Sequence, residues 1–136
     1  MEFSISTKSM DDAEDIFLLA KERLLDINDW NGFILTDSHK HKVHRNGHAG
    51  DFIMKSNDAN EWYVINKIQY DDYPDIAGES LTIFLSAAND PETMHSIAVN
   101  RVGKLLTVQG HNLDFTGNAD SFLKGLIYTE EYAIAS

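Results

Sequence analysis

The chain reads as an α+β domain: a curved antiparallel β-sheet or half-open barrel of six to seven strands, with one helix near each terminus packed against it. Three observations point there. Apolar residues recur at helical spacing only near the two ends, over 10–27 and 119–132. Between them, residues 33–109 carry short runs of two-residue alternation separated by Gly, Asn and Asp clusters. No βαβ pattern interrupts that middle stretch, so successive strands are expected to pair antiparallel. Two helices cannot cover both faces of so many strands, which places them on one side.

Residues 3–7, FSIST, either form a short strand or lead into the first helix. Ser9 is the expected N-cap, and Asp11 and Asp12 suit the positive end of the helix. Ile16, Phe17, Ala20, Leu24 and Ile27 supply its buried stripe, and Asn31-Gly32 stops it. Trp30 is expected to fold back over the end of that stripe. The first clear strand covers 32–37, with Phe33 and Leu35 on one face and Ile34 and Thr36 on the other. Residues 42–45 and 48–51 are expected as arms of a hairpin that turns at Asn46-Gly47, because both residues tolerate positive φ. Gly50 marks a bulge or a close backbone passage.

Strands follow near 51–55 and 61–69, with a loop over 56–60. In the longer strand Trp62, Val64 and Ile68 are expected on one face, and Tyr63, Ile65, Lys67 and Gln69 on the other. Residues 70–80 read as a turn-rich connection and 81–87 as strand. Residues 88–92 form a loop, and 95–100 pairs with 104–109 around Val102-Gly103. Residues 110–118 read as an irregular polar segment. Asn118 then caps the second helix, whose stripe is Ala119, Phe122, Leu123, Leu126 and Ile127 and whose interior Gly125 weakens. Tyr128, Tyr132 and Ile134 extend past that stripe, and the final Ala-Ile-Ala-Ser is no clear terminator.

At 136 residues the expectation is one domain with a real hydrophobic core. The absence of cysteine excludes disulfides, thiolate catalysis and cysteine-bound zinc. Twenty-two acidic residues against eleven basic ones give a formal charge of -11, which opposes binding to nucleic-acid backbones and anionic membranes. No apolar run approaches the roughly 20 residues that span a bilayer. The first residues carry neither the basic nor the apolar region of a secretory signal, so a cytoplasmic location is expected.

His39, His41, His44 and His48 crowd one segment, with Asp37 and Asp51 as nearby oxygen donors. Their spacing matches no closed metal motif, and Lys40, Lys42 and Arg45 oppose a cation, so no metal site is expected. A second set, Arg45, Asp51, Trp62, His111 and Asn112, falls near strand ends. A cleft beside the sheet would let Trp62 stack on a flat ligand, Arg45 hold an anion, and Asp51 share a proton with His111. Taken singly, each of these has a core or turn role as its plainer reading. Asp71, Asp72, Asp75 and Glu79 lack the alternation of a calcium loop and read as a solvated acidic stretch. No Walker A, dinucleotide fingerprint, G-x-S-x-G or HExxH motif occurs.

ERLLDINDWNGF, FILTD, VHRNGHAGDFIMK, EWYVINKIQ and SIAVNRVGKLLTVQGHN together resemble a set of uncharacterised proteins from Bacteroidetes-type bacteria. The resemblance covers roughly residues 20–112 and matches Arg45, Gly50, Asp51 and Trp62 to recurrent positions; His111 stands where that set is expected to carry an arginine. It implies no activity. The order of FSIST, a helix ending LLDINDWNGF, many strands and a last helix is also similar to helix-grip proteins of the START/polyketide-cyclase type. That resemblance implies a hydrophobic ligand cavity between the sheet and the final helix, although glycine-rich strand connections and a long closing helix are poorly matched.

The functional expectation is a non-enzymatic binding or protein-interaction domain. The alternative is a small-molecule-binding or enzymatic domain with a cleft between sheet and helices, in which Asp51 and His111 act as acid and base. The expected partner is a protein or a small molecule, with self-association open and with no cofactor, nucleic acid or membrane.

Overall fold

Seven strands pair side by side in the order β1-β7-β6-β5-β4-β3-β2, every neighbouring pair antiparallel. They are β1 (Glu2–Ser6), β2 (Phe33–Thr36), β3 (Phe52–Lys55), β4 (Asp58–Tyr73), β5 (Gly78–Ala87), β6 (Asp90–Val102) and β7 (Leu105–His111). The two helices are α1 (Met10–Leu25) and α2 (Ala119–Ile127). This computed structural model describes residues 1–132 and only the backbone of Ala59; the chain end that includes Ile134 lies outside the described residues. The sheet does not close, because β1 and β2 are its two edges.

Both helices pack on the same face. Ser9 caps α1 by accepting the Asp12 N–H at 3.0 Å, and Ala13, Ile16, Phe17, Ala20 and Leu24 turn inward. They meet Ile65, Leu81, Ile83, Leu85, Ile97, Val99, Leu106 and Val108 in one cluster of buried residues. Asn118 caps α2 by accepting the Ser121 N–H at 3.1 Å. The helix ends at Ile127, earlier than the expected 132, where Arg23 takes over its last carbonyls. The Arg23 Nη1 donates to the oxygens of Gly125, Leu126 and Tyr128 at 3.1, 3.3 and 2.8 Å. Those carbonyls have no intrahelical partner, and the guanidinium satisfies them. Beyond the helix, the buried Tyr132 donates its hydroxyl to Asp12 and accepts the Lys8 N–H at 3.2 Å, tying the chain's far end to the start of α1.

Several local expectations are corrected. Residues 42–45 and 48–51 are not hairpin arms; only one isolated bridge, Thr36 to Lys42, forms there. Neither Asn46 nor Gly47 has positive φ, and the left-handed residue is Gly50, at φ +93. Gly47 serves closeness instead. Its N–H donates to the Leu25 carbonyl at 2.9 Å, and a Cβ there would stand 2.4 Å from Ile27 Cδ1. The loops expected at 56–60, 70–80 and 88–92 are mostly strand. β4 runs from Asp58 to Tyr73, a 3-10 turn at Pro74–Ile76 closes its hairpin, and β6 begins at Asp90. Segment 110–118 is not simply polar, since Leu113 and Phe115 are buried.

One correction bears on the faces of β4. A bulge between Ile65 and Lys67 shifts the register of β4 against β5. Asn66 is the extra residue, so alternation changes phase across it. Ile68 then pairs with the fully buried Ile83 and joins the helix side, while Lys67 and Gln69 move to the open side beside Phe84 and Thr82. Trp62 and Val64, ahead of the bulge, also lie on the open side. The open face therefore has an apolar part, with Ile34, Phe52, Met54, Trp62, Val64 and Phe84 half-buried, and a hydroxyl- and amide-rich part toward β7 and β1.

Candidate binding groove

The sequence-selected residues separate into three places. Arg45 and Asp51 meet at the entry to β3. The guanidinium grips the carboxylate with both arms, Nη1 to Oδ2 at 2.6 Å and Nη2 to Oδ1 at 3.1 Å, and Nη1 also reaches the Asn46 carbonyl at 2.8 Å. Asp51 is 5% exposed and accepts the His48 N–H at 2.8 Å. Its backbone already pairs with β4, accepting the Ile65 N–H at 2.9 Å. Burial pushes its pKa up, but the hydrogen bonds from Arg45 and His48 and their charges outweigh it, so the carboxyl sits below its ordinary value. Every acceptor oxygen of Asp51 is engaged in holding the 45–51 segment against the sheet.

Trp62 lies on the open face, edge-on to Phe52 at 6.1 Å, with the Lys40 ammonium 4.7 Å from its ring centre. Lys40 reaches it from a strained position, φ +65, in a turn where Asp37 accepts the N–H groups of His39 and His41, each at 2.9 Å. Asn112, at φ +56, donates to the Met94 carbonyl at 3.0 Å and offers its own carbonyl to the His95 ring. His111, beside it, is exposed. Three strands, β4 to β6, stand between Asp51 and His111, a separation on the order of 15–20 Å at ordinary strand spacing. The two are not an acid–base pair. The histidines do not converge either: among the described residues no three His, Cys, Asp or Glu gather to hold a metal.

What the fold does assemble is a groove of about 420 Å³ between α2 and the segment that leads into β2. Its apolar wall is Trp30, Phe33 and Phe122. The chain after α1 makes a 3-10 turn at Ile27–Asp29, which swings Trp30 back as expected; its indole N–H donates to the Arg23 carbonyl at 3.1 Å. Phe122 meets Trp30 edge-on at 4.9 Å and Phe33 does so at 5.9 Å, which is the favoured arrangement of ring quadrupoles. Asn28 fixes this corner, donating to the Val43 carbonyl at 2.7 Å and accepting the Leu35 N–H at 2.9 Å. Asp29, Asn31, Thr116, Asn118 and Ser121 form the polar rim, and Gly125 leaves an open gap in the helix wall. A second depression of about 370 Å³ adjoins it across Asn31, Phe33 and Thr116 and continues to the β3–β4 turn.

The aromatic wall continues inward. Phe33 meets Phe115 at 5.9 Å, and Phe115 meets Tyr63 and His95 at 4.6 and 5.0 Å. Burial, then the hydrogen bond to Glu61, raises the Tyr63 hydroxyl above the usual phenol range. Tyr63 therefore stays neutral and is a packing residue, not a proton donor poised near neutrality.

Of the groove residues, Trp30 and Phe122 were legible as ends of helical stripes, but nothing in the sequence brings them together. Arg23 and Phe33 gave no signal as site residues, because their roles depend on two elements separated by about a hundred positions. Chemically the groove can take a flat or aliphatic group against the three rings and offer its polar edge hydroxyls, amides and one carboxylate, Asp29. Comparison of the chain with protein-family models, with curated proteins and with solved structures returns no match. Among the described residues no helix is long and apolar enough to cross a membrane.

Proposed function

We propose that this protein is a non-enzymatic binding domain and that the groove between α2 and the strand β2 is where it receives an apolar group of its partner. The observation that carries this is the composition of the groove wall: three edge-on aromatic rings, Phe122 half-buried over the nearly buried Trp30 and Phe33, beside a space of about 420 Å³ whose rim is mostly neutral polar side chains with one carboxylate, Asp29. Volumes of this order accommodate a small ligand or a few side chains of a protein segment. The alternative as an enzyme loses its named support, since Asp51 is spent on Arg45 and lies far from His111. A cytoplasmic setting agrees with the cysteine-free composition, and the likeness to Bacteroidetes-type bacterial proteins suggests the kind of source.

Anilinonaphthalene sulfonate, a flat aromatic whose fluorescence rises on desolvation, tests the groove. One saturable site is expected in the native protein. Gly125→Leu should fill the groove without strain, because a Cβ at Gly125 meets nothing within 4 Å, and it should weaken the dye's binding at least about tenfold, the worth of roughly 1.4 kcal/mol. Undiminished dye binding in a folded Gly125→Leu protein would remove the groove from consideration.

A further inference from the structure

The opposite end of the strands carries a second surface that the groove reading does not use. Tyr73 pairs with Gly78, Gly78 with Val102 and Val102 with Leu105, so three large apolar side chains and one bare glycine form a single row on the open face. Ile76, from the turn between β4 and β5, leans into the space Gly78 leaves; a Cβ there would stand 3.2 Å from Ile76 Cγ1. Tyr73, Ile76, Val102 and Leu105 are 46%, 56%, 48% and 42% exposed, although alternation and hairpin geometry would have allowed polar residues at all four. Tyr73, Ile76 and Val102 also wall a shallow depression of about 290 Å³ whose floor is polar. A contiguous exposed apolar row with a polar border has the make-up of a protein contact.

The charges around it select the partner. Among the described residues Glu2, beside the depression, accepts only a neutral amide, from Gln109 at 3.1 Å; Asp71 likewise accepts from Gln69 at 2.8 Å. Asp75 sits in the turn itself, within the 3-10 segment that carries Ile76. Arg101 is spent internally: Nε and Nη2 bind Glu79 at 2.9 and 2.8 Å, and Nη1 binds the Ala77 and Gly103 carbonyls at 3.0 and 3.1 Å. Lys104, at the β6–β7 turn, and Lys8, which follows the Thr7 bonded to the Lys104 carbonyl, are the cations at the Leu105 end of the row, and among the described residues neither forms an ion pair. We infer that this hairpin end docks an amphipathic, basic segment of another protein, its leucine- or isoleucine-type side chains on Tyr73, Ile76, Val102 and Leu105 and its lysines or arginines facing Glu2, Asp71 and Asp75. The carboxylates repel anionic lipid and nucleic acid, and the overall charge of -11 repels a second copy and speeds encounter with a cationic partner. The small area fits a transient contact.

The probe is a labelled helical peptide of leucine and lysine, followed by fluorescence anisotropy. Saturable binding is expected, weakened at least about tenfold, or roughly 1.4 kcal/mol, by the double change Ile76→Ser and Val102→Ser and further by salt. Gly125→Leu should leave it unchanged, so failure here and failure of the groove are separate results. A matching leucine–glutamate peptide should not bind. Equal binding by the folded double variant, or by the glutamate peptide, overturns the inference. So does self-association, or attachment to neutral lipid vesicles, that the double variant abolishes.

Discussion

Asp51 stays ionised while nearly sequestered from water because five of its surroundings' contributions act together: two guanidinium contacts, one backbone N–H and the neighbouring charges, against the cost of burial. A carboxyl whose folded pKa is depressed contributes stability above its unfolded value, near 3.9, and loses it as pH falls through the folded value. Asp51→Asn should therefore cost about 1–2 kcal/mol at neutral pH, a modest figure because Arg45 is partly in water and Asn can still accept from His48. The gap between the two proteins, read from urea midpoints, should close as pH falls below the unfolded value near 3.9 and through the lower folded one; a gap that widens there would refute this account. Arg101 is the harder case for sequence reading. It occupies a core-facing position of β6, 7% exposed, and is tolerable only because Glu79 and two carbonyls meet it. Alternation marks the position as inward, but nothing local to the residue announces its partners.

Among elements, the glycines show why local propensity misleads. Asn46-Gly47 has turn chemistry, yet the segment is drawn straight across the end of α1, and Gly47 is required there for want of space. Gly125 lies inside α2 for the opposite reason: a Cβ there would meet nothing within 4 Å. Gly47→Ala should destabilise the protein by about 1–3 kcal/mol, since Ile27 and Ile65 must yield. Gly125→Ala should stabilise it by about 0.5–1 kcal/mol through helix propensity. Denaturant titration of both variants checks the contrast, and equal effects would contradict the packing described. The β4 bulge is the other instance. Period-two reading assigned Ile68 to the face of Trp62, and one inserted residue, Asn66, returned it to the core beside Ile83. Such an insertion depends on what β5 presents, which a single strand does not record.

For the whole molecule, a formal charge of -11 on 136 residues means that self-repulsion works against the compact state. Salt should raise the melting temperature, most steeply at low ionic strength and levelling toward about 1 M, where the Debye length is near 3 Å. A melting temperature that fell steadily with sodium chloride would show that attractive ion pairs such as Arg45–Asp51 outweigh the net charge. The same excess of carboxylates leaves the open sheet face divided, with aromatic and aliphatic side chains near β2 to β4 and an acid-bordered apolar row at the far hairpin turns.

The sequence by itself determined the fold class, the two capped helices, the antiparallel middle and the buried stripe of each helix, because these follow from side-chain period and end chemistry within a few residues. Tertiary structure alone decided which residues face one another across the chain. It joined Arg23 to the end of α2, set Trp30 against Phe122, kept Asp51 apart from His111 and turned three expected loops into strand. Those outcomes rest on contacts between segments far apart along the chain, and the free energy that selects them appears only when both sides are packed together.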